Sequence, residues 1–360
     1  MLCLSCSVLM VAALAVGGAG DPLVTLSYLT GAFTDTVEAQ VDRRLDDSDR
    51  ELRENGSIAA QPTGTAVPSA NGTGWTEVRL KRGDVLTAST GTGVLLLAGE
   101  GQVAVTGGTV VDVTTGAELP SGGALQVNHR YLAAEDTSAD FLITSKTAVL
   151  DHQGVTAISY SDEVDYNAMA AALKQLNLFR GSTTGFGQGF DLERAPSRLQ
   201  AIIMFIRVLG EEEAALAWSG AMPFTDVARG TEAEKYVGYA YEKGYTNGFT
   251  ATQFRPADPV NVYQYTEFIL RAMGYSSAAN SNLADTLVRA RVAGVLTEGE
   301  TELLRQDKFL RAELVYISYY ALQATMPDGT TTLAQSLMDD GVFTEQAWRE
   351  AQSMVLSQRL

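Results

Sequence analysis

APSRLQAIIMFIRVLG (Ala195–Gly210) and PVNVYQYTEFILRAMG (Pro259–Gly274) lie 64 residues apart, and the offset extends beyond them. Phe190 meets Phe254, Arg207 meets Arg271 and Gly210 meets Gly274. Each copy runs from a loop through a polar start signal into apolar residues at helical spacing. A weaker third copy, FLRAELVYISYYAL, occupies Phe309–Leu322. Self-similarity at a fixed period marks units that bury their hydrophobic faces against one another. The C-terminal half therefore reads as helical repeats, and the chain as a binding module and not an enzyme.

Working outward, apolar periodicity predicts helices over Tyr166–Leu178, Ser197–Leu209, Ala233–Lys243, Val262–Met273, Leu283–Ala293 and Arg311–Ala324. A closing pair is predicted at Leu333–Asp339 and Thr344–Leu356. Upstream, from Trp75 to Tyr160, short Val/Leu/Thr-rich runs such as WTEVRL, GVLLLAG, TVVDV and FLITS alternate with glycine turns, the pattern of a small all-β sandwich or barrel. Residues 56–74 collect Gly, Pro, Ser and Thr and read as a linker. Within 21–55, the charged stretch Asp35–Glu54 carries a narrow apolar stripe at Val41, Leu45 and Leu52 and an Asp35/Glu38 capping box. That helix either packs on its own domain or self-associates as a short coiled coil. Asp46, Asp47, Asp49 and Glu51 lack the glycine of a calcium loop and suit a helix face.

Residues 1–20 have the apolar run and small-residue end of a secretory signal, without the usual basic start. As a membrane anchor the run is short, so no stable membrane insertion is expected after its removal. Both cysteines, Cys3 and Cys6, fall inside it, so the mature chain would have no disulfide, thiolate metal site or cysteine nucleophile. A formal charge of −17 over 360 residues argues against nucleic acid as a partner. The only histidines, His129 and His152, read as isolated surface or turn residues and not as metal ligands. No cofactor is expected. Asp112, Glu118, Asp136 and Asp140 are the carboxylates that could pair for glycoside hydrolysis if the fold brought them together. GFGQGF (Gly185–Phe190) follows no strand and reads as a connector, not a phosphate loop.

The second copy also contains FTDV (Phe224–Val227), YVGYAYEKGYTNG (Tyr236–Gly248) and QFRP (Gln253–Pro256). With the helix ending RAMGY, this resembles the S-layer homology domain. The first copy matches through LNLFRG, GFDLERAPSR and IRVLG, and the third through LRAEL. The resemblance implies three repeats, at 165–214, 222–276 and 280–325, followed by C-terminal helices over 326–360. The fold class would be α+β multidomain, a β domain followed by an all-α pseudo-threefold bundle. The overall layout is similar to secreted clostridial proteins of this type. It implies anchoring at the cell wall through a secondary cell-wall polysaccharide, often pyruvylated, with display of the β domain; other surface-layer proteins are a further class of partner. The family's T-R-A-E arginine maps onto Arg198 and Arg311, with Val262 in the second copy. Its acidic residue maps onto Glu313, with Gln200 and Gln264 in the other copies.

Physically, Ser197 with Gln200 and Asn261 with Gln264 are capping boxes. A cap does not explain Arg198, a cation at the positive end of a helix dipole. It is either a solvated side chain or, with the free helix N–H groups, a receptor for a carboxylate. The same alternatives stand for Arg311, and Arg180, Arg194 and Arg255 could supplement the grooves. The tyrosines either pack in the core or stack on sugar rings. Two further functional readings stay open: a self-assembling surface-layer subunit with degenerate repeats, and a wall-tethered glycan-active enzyme.

Overall fold

The structure, a computed structural model, describes residues 67–68, 74–181, 189–275, 283–306 and 308–359. The signal segment and the 35–54 helix lie outside the described residues, as does most of the GFGQGF loop.

The strand runs fold as expected into a β domain, and the two-sheet solution wins over a barrel. Among the described residues eleven strands are formed: β1 (Val67–Pro68), β2 (Thr76–Lys81), β3 (Val85–Ser89), β4 (Gly93–Ala98), β5 (Gly101–Thr106) and β6 (Val110–Asp112), then β7 (Ala117–Leu119), β8 (Arg130–Ala133), β9 (Ser138–Ile143), β10 (Thr147–Gln153) and β11 (Thr156–Ser159). One sheet has the order β1-β11-β3-β9-β5 and the other β2-β10-β4-β8-β6-β7, with every pairing antiparallel. Alternation drives the layering. In β9, Ala139, Phe141 and Ile143 are buried between exposed or half-buried neighbours, and in β4 Leu96 and Ala98 do the same beyond the buried pair Gly93–Val94. These faces meet in one core with Leu80, Leu86, Val103, Tyr131 and Leu150. Gly99 makes the β4–β5 turn at φ +91°, where a Cβ would stand 2.5 Å from the Thr147 carbonyl oxygen. Val67–Pro68, inside the stretch expected to be linker, pairs with β11.

The helices among the described residues are α1 (Tyr166–Gln175), α2 (Arg198–Val208), α3 (Glu212–Leu216), α4 (Glu232–Glu242), α5 (Val262–Ala272), α6 (Thr286–Val292), α7 (Glu298–Gln306), α8 (Arg311–Ala321), α9 (Leu333–Asp339) and α10 (Glu345–Met354). The 64-residue echo is structural: α2 and α5 carry complete capping boxes and stop at Gly210 (φ +69°) and Gly274 (φ +83°). The sequence reading missed α3 and α7. Leu283–Ala293, expected to be one helix, divides into a 3-10 turn at Leu283–Asp285 and α6.

The described helices pack around one apolar cluster with a high aromatic content. The tyrosines resolve toward packing, but several hydroxyls are buried and bonded instead of reaching the surface. Tyr265 meets Ser318 Oγ at 2.6 Å, Tyr316 donates to Glu300 at 2.6 Å, and Tyr236 donates to Glu212 at 2.6 Å. Burial pushes the Tyr265 hydroxyl well above its usual range, so it remains a neutral donor.

The β domain is stitched to the helices by polar side chains. Asp84 accepts from Lys81 Nζ (2.7 Å) and from the Ser161 N–H (2.8 Å), fixing the turn that leads toward α1. Lys146, between β9 and β10, pairs with Glu313 of α8. At the far end, Ser357 accepts from the Asp165 N–H at 3.1 Å, and Arg359 pairs with Glu300 of α7.

Candidate functional site

Arg198 and Arg311, the two arginines singled out in the repeats, each sit in a three-bond junction of the same kind. The Arg198 N–H donates to the Asp258 carbonyl (2.9 Å), the Leu199 N–H to the Pro256 carbonyl (3.1 Å), and Arg198 Nε to the Phe254 carbonyl (2.8 Å). At the second junction the Arg311 N–H donates to the Arg194 carbonyl (2.8 Å), the Ala312 N–H to the Leu192 carbonyl (3.1 Å), and Arg311 Nε to the Phe190 carbonyl (3.0 Å). The acceptor positions differ by 64 residues in every case. The start of one copy's second helix is therefore clamped onto the preceding loop of another copy. Each guanidinium also lies over an aromatic ring, 4.9 Å from the Phe254 centroid for Arg198 and 5.6 Å from Phe179 for Arg311.

Arg198 is only 4% exposed, so it is not a solvated side chain. Burial lowers the pKa of both arginines. Among the described residues neither has a carboxylate within salt-bridge distance, and each guanidinium bonds to protein through Nε alone. Two desolvated cations thus keep Nη donors in reserve, an arrangement that suits an incoming anion.

The other expected site residues are distributed differently. Arg255 stands at the rim of the first junction with φ +60°, its guanidinium 3.7 Å from the centroid of the half-exposed Phe249 ring. Gln200 is exposed and spent on its capping box with Ser197. Arg180 is exposed and pairs with Glu212 at 2.7 Å, next in the chain to Phe179, the ring beneath Arg311. Glu313 is buried: its carboxylate takes the Leu310 N–H at 2.7 Å and the Lys146 ammonium. Val262, where the second copy lacks the arginine, is buried in the apolar cluster.

Asp226 of the FTDV segment was not singled out as a site residue, yet it holds the first junction's acceptor loop. It accepts from the N–H groups of Phe254 (2.9 Å) and Arg255 (2.7 Å). Partial burial would raise its pKa, but these two bonds outweigh that and hold the carboxyl below its usual value. A depressed folded-state pKa means stability that is full at neutral pH and lost as pH falls through the ordinary aspartate range, below about pH 4. Urea unfolding of the parent and Asp226→Asn from pH 7 to pH 3 should show a stability gap that shrinks only at the acid end. A gap of constant size would remove the carboxylate from this account. Gly248, at φ +77°, closes the same region: a Cβ would stand 2.3 Å from Phe224 Cε1.

In the β domain the candidate hydrolytic carboxylates are not brought together. Asp112 and Glu118 belong to the six-stranded sheet, whereas Asp140 is on the five-stranded sheet, bonded to Thr87 Oγ1 at 2.6 Å. Asp136 occupies the turn between β8 and β9 at φ +55°. The expectation for the histidines needs correcting. His129 does lie in the turn before β8 but is not isolated, since it pairs with Asp112 at 2.7 Å; His152 is buried on β10 against Thr156, because the strand register turns its ring inward. Burial lowers the His152 pKa, which keeps the ring neutral. Among the described residues no group of three or more His, Cys, Asp or Glu side chains could hold a metal ion, and no helix is long and apolar enough to cross a membrane.

Comparison with known proteins agrees with the geometry of the middle copy. The S-layer homology domain family matches residues 223–261, so the chain carries such a domain. The domain points to an association with the cell wall or cell surface. No curated protein matches the chain. Among solved structures, ToxT from Vibrio cholerae O395 bound to a naphthalenyl-butenoic acid aligns at 13% identity over 79% of this chain and 90% of that one, with a TM-score of 0.15. Fatty-acid-bound ToxT from strain SCE256 aligns at 13% identity over 82% and 89%, with a TM-score of 0.12. Scores that low carry no argument about the fold.

Proposed function

We propose that this is a non-catalytic, secreted surface protein held on the cell wall by three S-layer-type repeats that grip an anionic, pyruvylated secondary wall polysaccharide and display the β domain. The duplicated clamp carries this reading. Copy three locks onto copy one and copy one onto copy two, the connectivity expected when repeats close in a pseudo-threefold bundle. At each observed lock a guanidinium lacking a carboxylate partner is held in place, with Arg255 at the rim of one of them. A pyruvyl carboxylate would supply the missing partner and take the Nη donors bidentately. In the second copy Val262 stands at the position of this cation.

The test is sedimentation of the full chain with purified wall sacculi. Binding to native walls and loss of binding to polymer-stripped walls are expected. Arg198→Lys and Arg311→Lys keep the charge but lose the planar fork, and each should weaken binding about tenfold or more, the scale of a charged hydrogen bond at about 1.5–3 kcal/mol. Equal sedimentation with native and stripped walls would sink the reading.

A second reading, self-assembly into a surface layer, is favoured by the exposed Val288 and Val292 on α6 and by the commitment of Glu313 to Lys146. Concentration-dependent assembly in the absence of walls would raise it above the first.

A further inference from the structure

The outer face of the six-stranded sheet carries a tryptophan that no core explains. Trp75, just before β2, is 40% exposed and belongs to neither apolar cluster. Its neighbours are a glycine and a cation. A Cβ at Gly93 would stand 3.1 Å from the indole Cη2 and 3.6 Å from Arg130 Nη2, and the Arg130 guanidinium lies 4.9 Å from the ring centroid. The missing side chain at position 93 opens a notch in which indole and guanidinium lie together on the sheet.

Register assembles the rest of the face. Asp151 stands opposite both Glu77 and Leu95, Leu95 opposite Arg130, and Gln153 opposite Gly93. Side chains on this row alternate with the inward Val94, Leu96 and Leu150 and so point outward. Directly opposed positions place their Cβ atoms about 4.5–5.5 Å apart, so the carboxyl groups of Glu77 and Asp151 are side by side. Burial first, and then the Glu77 charge, raise the Asp151 pKa. Arg79 binds Glu77 at 2.7 Å and stacks at 5.3 Å on Phe190, where the repeat half meets the sheet. From Trp75 to Arg79 the strand spans on the order of 13 Å, at about 3.3 Å per residue, enough for a short oligosaccharide.

We propose that this face, with Trp75 as its platform and Glu77, Asp151, Gln153 and Arg130 around it, is a binding site for a neutral glycan. The electron-rich indole face attracts the polarised C–H bonds on one side of a pyranose ring. Paired carboxyls accept from vicinal hydroxyls, and the carboxamide and guanidinium supply donors. Charge decides which glycan: Arg79 and Arg130 balance Glu77 and Asp151, so the face has no unpaired cluster of cations to draw an acidic sugar and suits a neutral one, unlike the arginine clamps. The site does not depend on the wall-polymer reading.

Isothermal titration of the full chain with chitohexaose, cellohexaose and mannohexaose, beside an oligogalacturonate of the same length, tests the proposal. Saturable binding of at least one neutral oligosaccharide is expected, with none of the acidic one. Trp75→Ala should weaken it at least tenfold with an unchanged Tm, Trp75→Tyr should retain part of it, and Arg198→Lys should leave it intact. Wall sedimentation by Trp75→Ala should match the parent, which keeps a failure here separate from a failure of the clamp reading. No neutral binding up to millimolar ligand, equal binding by Trp75→Ala, or preference for the acidic oligomer would each overturn the proposal.

Discussion

Lys146→Met is expected to lower the unfolding free energy by about 3–5 kcal/mol, because it strands a buried carboxylate. Glu313 is 1% exposed and has two partners, the Lys146 ammonium and the Leu310 N–H. Removing the lysine leaves a desolvated charge with one neutral hydrogen bond, and the helix N-terminus offsets only part of the loss. The double variant Lys146→Met/Glu313→Gln should recover much of the stability, since an uncharged pair of similar size has no ion to desolvate. Urea unfolding of the parent, both single variants and the double variant gives the coupling energy. A Lys146→Met cost below about 1 kcal/mol would mean that the pair behaves as a surface bridge.

Arg359→Ala is expected to cost a similar amount, about 3–5 kcal/mol, for the same reason at the other end of the molecule. Glu300 is fully buried; it accepts from Arg359 through Nε and Nη2, from the Tyr316 hydroxyl and from the Thr297 N–H at 2.6 Å. Arg359 also donates to the Val295 carbonyl at 2.8 Å and lies 4.5 Å from the Tyr320 ring centroid. Truncating it removes the cation and leaves the carboxylate with two neutral donors. Arg349→Ala is the control: its bridge to Glu345 is exposed on both sides and should contribute less than about 0.5 kcal/mol. Hydrogen exchange of the α7 amides should speed up in Arg359→Ala and stay unchanged in Arg349→Ala. Unaltered exchange in both would remove the C-terminal segment from the account of how α7 is held.

Much of the helical half was legible because its signals are local. Ser197/Gln200 and Asn261/Gln264 start helices, Gly210 and Gly274 stop them, and the apolar spacing between is helical. The β domain was legible as a class from its short runs, but pairing order was not, since register depends on which faces bury. The α7 helix was missed although Thr297 and Glu300 form a capping box in the sequence, because Glu298–Gln306 is too polar to show an apolar stripe. Arg198 and Arg311 were found, but their carbonyl partners lie 56 and 121 residues away. The ion pairs Lys146–Glu313 and Glu300–Arg359 were illegible for a similar reason: each joins residues that share no periodicity.

The pairing of β1 with β11 has a mechanical consequence. Val67 lies beside Ile158, and Pro68 beside Ala157, so the chain enters the sandwich and leaves it toward the repeats at one edge and one end of a ladder. Tension between residue 67 and residue 160 therefore peels those two strands apart bond by bond instead of shearing several bonds together. Under flow or pulling at a surface, that short edge yields first, while the central strands of both sheets stay closed.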